Sequence, residues 1–340
     1  MGQNSEKISI IGNGSWGTTL ASILAQNGHS VIVHGRDPQQ IDALNRHHEN
    51  TKYLPGIKLP EQIIFTADLH EALSFGDVVL LAIPSHAFRN TILEARSLCI
   101  KKKLHFISAI KGIETTSLMR MSEVAADVLQ GCTYSFTCLS GPSHAEEVSK
   151  NIPTTIVAAS AEAEAAQFVQ RLFMRPAFRV YSHTDIVGAE LGGALKNVIA
   201  LAAGICDGLG FGDNAKAALL TRGLAEISRL GTALGANPLT FAGLSGMGDL
   251  IVTCMSAYSR NRFLGEEIGK GKTLSEARAS MVMVAEGVRT TEAARALSLK
   301  HNIEMPITEE VYEVLFKDRP PGQGVNALMT RSAKDEKWGH

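Results

Sequence analysis

The 340-residue chain carries no excess of either charge: 33 Lys and Arg face 34 Asp and Glu, for a formal net charge of −1. That balance argues against a polybasic surface for nucleic acid or anionic membrane, so an anionic ligand has to be met by a few local cations. Cysteine is scarce and odd in number: Cys99, Cys132, Cys138, Cys206 and Cys254, with no C-x-x-C pair. This is no disulfide framework and no zinc module; it reads as reduced, buried thiols, with Cys99 alone outside apolar or small-residue surroundings. There is no H-E-x-x-H, no Cys/His cluster and no G-x-S-x-G, so no metal and no serine nucleophile are expected. An apolar leader is also lacking: apolar residues begin at Ile8 and alternate with polar ones, and Glu6 stands where a myristoylation pattern needs Ser or Thr. The most apolar stretch, 186–209, is interrupted by Glu190, Lys196 and Asp207, which reads as a core helix and not a membrane span. The expectation is a cytoplasmic protein with no membrane insertion and no nucleic-acid partner.

What is present is glycine at chosen places. Ile8, Ile10 and Ile11 form a short β-run that breaks into Gly12-Asn13-Gly14-Ser15-Trp16-Gly17, and Thr18 to Gln26 then reads as a helix ending at Gly28. Strand, G-x-G-x-x-G turn and helix in that order form a dinucleotide-binding pattern. Gly12 makes the tight turn, Gly14 admits a pyrophosphate to the backbone, and Gly17 lets helix and strand pack closely. The helix N-terminus offers unpaired N–H groups to the phosphates.

The second strand, Ser30 to Val33, runs into His34-Gly35-Arg36. NAD sites usually place an acid near this strand's end; here Gly35 occupies the place and Arg36 follows, which favours the 2′-phosphate of NADP, with NAD possible. Asp37 could be the missing acid, but Asp37-Pro38 fits a helix cap with Pro in the first turn better. Further strands are expected at Ile63–Thr66, Asp77–Ile83, Leu104–Ile110, Ser135–Leu139, Thr154–Ala159 and Phe178–Tyr181, and helical periodicity over Ser117–Leu129, with Leu118 on its apolar face. After about His183 the β-runs vanish. Helices are expected near 186–208, 214–235, 260–270, 275–280, 286–301 and 308–316, with Pro306 stopping one of them. The fold class is therefore an α/β Rossmann-type N-terminal domain (1–185) followed by an all-helical C-terminal domain (186–333) and a polar tail (334–340).

Lys196 is the most informative charge. Its helical neighbours Gly192, Gly193, Ile199 and Ala200 form a small apolar face on which a lysine is poorly hydrated. It either trades protons near neutrality or snorkels to water. Asp249, in Gly246-Met247-Gly248-Asp249, could orient Lys196, hold a substrate hydroxyl or cap the next helix. Ser259-Arg260-Asn261-Arg262 suits an anion at a helix start, or is simply a capped start with solvated arginines. Glu286 to Thr291 begins another helix. Lys111 stands at a strand's carboxyl end, where ligands gather in open α/β sheets.

GNGSWGTTLA (Gly12–Ala21), SGPSHAEEV (Ser140–Val148), LGGALKNVIALAAGICDGLGFGDNAKAALLTRGLAE (Leu191–Glu226), GLSGMGDLIVTC (Gly243–Cys254), SRNRFLG (Ser259–Gly265) and MPITEEVYEVL (Met305–Leu315) follow one another along the chain. In this order they resemble the bacterial-type NAD(P)-dependent glycerol-3-phosphate dehydrogenases, from Ile8 to about Ala333. The resemblance implies reduction of dihydroxyacetone phosphate by NAD(P)H to sn-glycerol 3-phosphate, a phospholipid precursor. It implies cofactor contacts at Ser15, Trp16, Arg36, Lys111, Ala145, Arg260, Val284 and Glu286, besides the glycine turn. It implies substrate contacts at Lys111, Gly141, Ser143, Lys196, Asp249, Ser259, Arg260 and Asn261, with Lys196 as general acid/base. The rival readings are another Rossmann-plus-helical hydroxyacid dehydrogenase and a non-catalytic NADP-sensing module. Alanine- and glycine-rich helices in the second domain make a homodimer through it a further expectation.

Overall fold

The structure, a computed structural model, describes residues 5–281, 284–333 and 335–336. The chain divides into two compact units: one runs to Ile110 and resumes over Met121–Ile186, the other takes Lys111–Arg120 and continues from Val187. Ten residues well before Val187, including Lys111, thus belong with the helical unit. Of the tail expected at 334–340, only Asp335 and Glu336 are described, both exposed; Lys334 and 337–340 lie outside the described residues.

The first unit is built on an eight-stranded sheet: β1 (Lys7–Ile11), β2 (Ser30–His34), β3 (Ile64–Thr66), β4 (Val78–Leu81), β5 (Leu104–Ser108), β6 (Tyr134–Ser140), β7 (Thr154–Ala159) and β8 (Phe178–His183). The order is β3-β2-β1-β4-β5-β6-β7-β8, and only β6 and β7 pair antiparallel. All four residues of β4 are buried, which is why it reads as an unbroken apolar run: helices cover both faces of a parallel sheet. β1 pairs with β2 on one side and β4 on the other, in register Ile10 with Val33 and with Leu80. The strand order reverses there, and the crevice at such a switch point is where open α/β sheets bind ligands. The glycine turn follows β1 directly.

The second unit is helical, with its core around Ile186–Gly208, in which every residue from Gly188 to Cys206 is buried. Such all-round burial explains the apolar composition of this 23-residue segment. Four expectations are corrected. Pro306 does not stop a helix; it stands in the first turn of Pro306–Phe316, where its missing N–H leaves no bond unmade. The next two amides, of Ile307 (2.6 Å) and Thr308 (3.2 Å), donate to the buried carboxylate of Glu226, whose pKa burial pushes up to about 7. The helix expected over Ser117–Leu129 begins only at Met121, because Leu118 takes a left-handed φ of 62° and the chain before it closes a bridge between Ile113 and Arg120. Cys99 is not an exception among the thiols: it ends the helix Phe88–Cys99 at 2% exposure, and Cys132 is the half-exposed one. Finally, Glu286 precedes the first turn of Gly287–His301 instead of lying within it.

Candidate active site

In the sheet unit the turn is shaped by what a side chain would strike. Gly12 has φ 117°, and a Cβ on it would lie 2.4 Å from the Ala82 carbonyl oxygen; a Cβ on Gly17 would lie 2.0 Å from the Gly12 oxygen. Gly14 is different: nothing lies within 4 Å of the Cβ position, so it faces open space. It is the N-cap of the helix Ser15–Gln26, with no side-chain cap and no acid in the first turn. The start of that helix thus brings no cap and no acid of its own and lies beside open space at Gly14, and these residues fit a dinucleotide's pyrophosphate. Ser15 is buried as the first helical residue, and the half-buried Trp16 ring sits 6.5 Å from that of Phe178. A Cβ at Gly35 would lie 2.5 Å from the Asn13 side chain, so the end of β2 has little room for the ribose-binding acid, while Arg36 beyond it is exposed. Asp37 accepts from the amides of Gln39 and Gln40, which settles it as a helix cap. At the carboxyl end of β6, Gly141 has φ 121°, Ser143 Oγ donates to its carbonyl at 3.0 Å, and Ala145 opens the one-turn helix Ala145–Val148.

In the helical unit three of the expected residues meet. Asp249, 1% exposed, accepts from Lys111 Nζ at 2.7 Å through one oxygen and from Lys196 Nζ through the other. Lys196 is itself 5% exposed, so it does not snorkel. Its Nζ also donates to Thr253 Oγ1 at 2.7 Å, and that hydroxyl donates to the Asp249 carbonyl at 2.6 Å. The backbone brings Asp249 to Lys196 through a wide turn, Leu244–Gly248, closed by an i→i+5 bond from Gly248 N to Gly243 O at 3.1 Å. Gly192, one helical turn before Lys196, makes room for it: a Cβ there would lie 2.4 Å from the Ser245 carbonyl oxygen. Single wide turns of this kind cost helix geometry and recur at functional sites.

Burial pushes the Lys196 pKa down, Asp249 pushes it back up, Lys111 pushes it down again, and the balance falls to about 7. For Asp249 burial acts to raise the pKa, but the ammoniums of Lys111 and Lys196 outweigh it and hold the carboxyl below its ordinary value. The site is therefore a carboxylate between two amines, one of which can gain or lose a proton near neutrality.

The remaining expected residues divide. Ser259 caps the helix Arg260–Gly269 by accepting from Arg262 N at 3.2 Å. Arg260 is exposed and its Nη1 donates to the carbonyl of Val284 at 3.3 Å. Asn261 is buried with both ends of its amide engaged, donating to Asn197 Oδ1 and accepting from Gly287 N, each at 2.9 Å. Asn197 in turn donates to the Lys111 carbonyl at 3.1 Å. Glu286 lies at the start of the helix Gly287–His301. Sequence reasoning passed over Thr253 and Asn197; the i, i+4 spacing of Asp249 and Thr253 is the signal that could have found the first.

Residues 7–166 match the family described as NAD-dependent glycerol-3-phosphate dehydrogenase N-terminus, and residues 185–326 match its C-terminus. A Pelotomaculum thermopropionicum protein named glycerol-3-phosphate dehydrogenase, NAD(P)+, is 53% identical over 334 residues, covering 98% of this chain and 95% of its own. A Geobacillus kaustophilus protein of the same name is 52% identical over 332 residues, covering 97% and 96%. The crystal structure of glycerol-3-phosphate dehydrogenase from Coxiella burnetii superposes with a TM-score of 0.92 at 37% identity, over 96% of this chain and 99% of that one.

Proposed function

The chain belongs to the NAD-dependent glycerol-3-phosphate dehydrogenase family, and we propose that Lys196 is its general acid/base in the reversible, NAD(P)H-dependent reduction of dihydroxyacetone phosphate to sn-glycerol 3-phosphate, which supplies glycerophospholipid synthesis. The observation that carries this role is the buried Lys196 amine, held by Asp249 and Thr253 beside Lys111. A bound nicotinamide cofactor supplies the hydride. As the ketone carbon is reduced, negative charge grows on its oxygen. Two of the three Lys196 protons go to Asp249 and Thr253, and the third is the donor for that oxygen. Asp249 orients the ammonium, and Lys111 keeps its pKa low enough for the proton to leave.

The exposed guanidinium of Arg260 takes the substrate phosphate or the cofactor, while Ser259 and Asn261 fix the helix start that presents it. Gly141 and Ser143 supply substrate contacts at the carboxyl end of β6. Gly12, Gly14, Ser15, Trp16, Gly17 and Ala145 line the cofactor's place in the sheet unit, and the family resemblance adds cofactor contacts at Val284 and Glu286. Arg36 favours NADP, with NAD accepted. The setting is cytoplasmic and without membrane insertion. In support, every residue from Gly188 to Cys206 of the long apolar helix Ile186–Gly208 is buried inside the protein. A homodimer through the helical unit is supported by the exposed Ala215, Ala217 and Ala218 on the helix Asp213–Ala233.

The test follows nicotinamide absorbance on adding dihydroxyacetone phosphate to enzyme and NADPH. Lys196→Ala should lose about 10³-fold in kcat, within the range general acid–base groups supply, while NADPH affinity stays unchanged. Near-normal turnover by this variant would remove Lys196 from the mechanism.

A further inference from the structure

A buried carboxylate six residues before Lys196 has no part in the chemistry so far. Glu190 is 5% exposed on the core helix, and it accepts from Arg120 Nη1 at 2.6 Å; the Arg120 side chain is itself only 13% exposed. Arg120 closes the ten-residue segment Lys111–Arg120, which belongs with the helical unit. That segment is stiff. Ile113 bridges Arg120, Glu114 N donates to Met119 O at 3.0 Å, Leu118 N donates to Glu114 O at 2.8 Å, and Leu118 is held at φ 62°. A leucine keeps a left-handed φ only where its surroundings over-determine it.

Both ends of the segment land on one face of one helix. Asn197 Nδ2 takes the Lys111 carbonyl at 3.1 Å, and Glu190 takes Arg120. Positions 190 and 197 are seven residues apart, about two helical turns or ~10.5 Å, and so share a face. Between the anchors Ile113, 1% exposed, enters the helical core. Because Ile113 pairs with Arg120, the guanidinium is tied through the bridge to a residue two places from Lys111. Stability alone does not account for such a pair, since a buried ion pair roughly breaks even with an apolar pair of the same volume. What an apolar pair does not supply is a fixed register. We propose that Glu190, acting through Arg120, is a positioning residue that sets the reach of the Lys111 amine to Asp249.

The inference rests on the role given to the Lys196 cluster. The groups facing Lys196 are Asp249, Thr253 and Cys254 from the helix Asp249–Met255, and Lys111 from the segment. Burial pushes the Cys254 thiol up to about 12, so it stays neutral. If Lys111 withdraws, its lowering of the Lys196 pKa is lost and no second amine competes with Lys196 for Asp249. Both changes move the alkaline limb of ketone reduction to higher pH.

The experiment uses the full chain and compares Glu190→Gln, Lys111→Met, and the two combined, with Glu190→Leu/Arg120→Met as the apolar replacement of the pair. Glu190→Gln should lower kcat about tenfold and raise the limb by about half a pH unit or more, in the direction of Lys111→Met. In the Lys111→Met background it should change neither further. Glu190→Leu/Arg120→Met should fold with at least wild-type Tm and keep the kinetic defect. Multiplicative losses in kcat for Glu190→Gln and Lys111→Met, or wild-type kinetics in the well-folded apolar variant, would overturn the proposal. Full turnover by Lys196→Ala would instead refute the general acid/base reading, and the Glu190–Lys111 cycle in kcat would still decide this one.

Discussion

At the turn Gly12–Gly17 the sheet unit removes side chains, whereas around Lys196 the helical unit concentrates them. The turn works because Gly12 and Gly17 leave room for backbone against backbone and Gly14 leaves the helix start open. The cluster works because one amine and a carboxylate are forced out of water together, with a second, partly exposed amine held against them. The contrast follows from what each is proposed to meet. A pyrophosphate carries its own charge and asks for N–H groups at fixed places, which backbone supplies without any titrating group. A ketone gains charge only during the reaction, so the group meeting it must change its own protonation, and only a side chain does that. The first region should therefore be indifferent to pH near neutrality and the second governed by it.

The largest effect expected from breaking the contrast is in the cluster. Asp249→Asn removes the partner of both lysines and should cost about 10²- to 10³-fold in kcat. It also carries a sign. The carboxylate favours the charged form of Lys196, so its removal lowers a pKa that already stands at about 7. With Lys196 in the proposed role, ketone reduction takes the protonated amine. Its alkaline limb, expected in the parent near the Lys196 pKa of about 7, should move to lower pH, and a pH–kcat profile in the reductive direction reads this directly. A limb that stays in place would show that Asp249 does not set the Lys196 proton.

Thr253→Val should act in the same direction with less force. It keeps volume and removes an oxygen that accepts from Lys196 at 2.7 Å. A loss of about tenfold in kcat with a smaller downward shift of the limb is expected, with KM nearly unchanged. An unshifted limb would assign the hydroxyl to fixing Asp249 alone.

At the turn, Gly14→Val is the matching substitution. The Cβ position is open, so the variant should fold with stability within about 1 kcal/mol of the parent. The branched side chain occupies the approach of the pyrophosphate, and NADPH affinity should fall about 10- to 100-fold with no change in the pH limb. Gly17→Val would not make this test, because its Cβ would sit 2.0 Å from a carbonyl oxygen and the fold itself would suffer.

The two regions were also unequally legible before the fold was known. Gly12, Gly14 and Gly17 act within six residues, and the strand before and helix after them are adjacent in the chain, so spacing alone exposes the turn. Lys196 and Asp249 are 53 residues apart, and Lys111 and Asp249 138 apart. No local pattern pairs them, and only the long motifs of the family resemblance put them in one site. The surroundings of Lys196 left snorkelling open; what closes that route is the wide turn Leu244–Gly248 pressed against Gly192, a contact no periodicity reveals. Pro306 misled for a related reason: a proline marks a helix end from either side, and the Glu226 carboxylate that accepts the amides after it comes from 80 residues earlier.

Arg36 is the one exception inside the contrast, a side-chain charge assigned to cofactor binding in the sheet unit. It is exposed, and solvent screens it, so its interaction with a 2′-phosphate is worth roughly 1–2 kcal/mol. Arg36→Ala should weaken NADPH about tenfold and NADH less than twofold, measured as separate KM values with dihydroxyacetone phosphate saturating. The NADPH penalty should shrink as salt rises, because an exposed pair is screened over about 10 Å at 0.1 M. The Gly14→Val penalty should not shrink in the same way, since it comes from blocked approach. Equal losses for NADPH and NADH in Arg36→Ala would mean that the choice of cofactor, like the binding of its pyrophosphate, is made at this turn by backbone and shape.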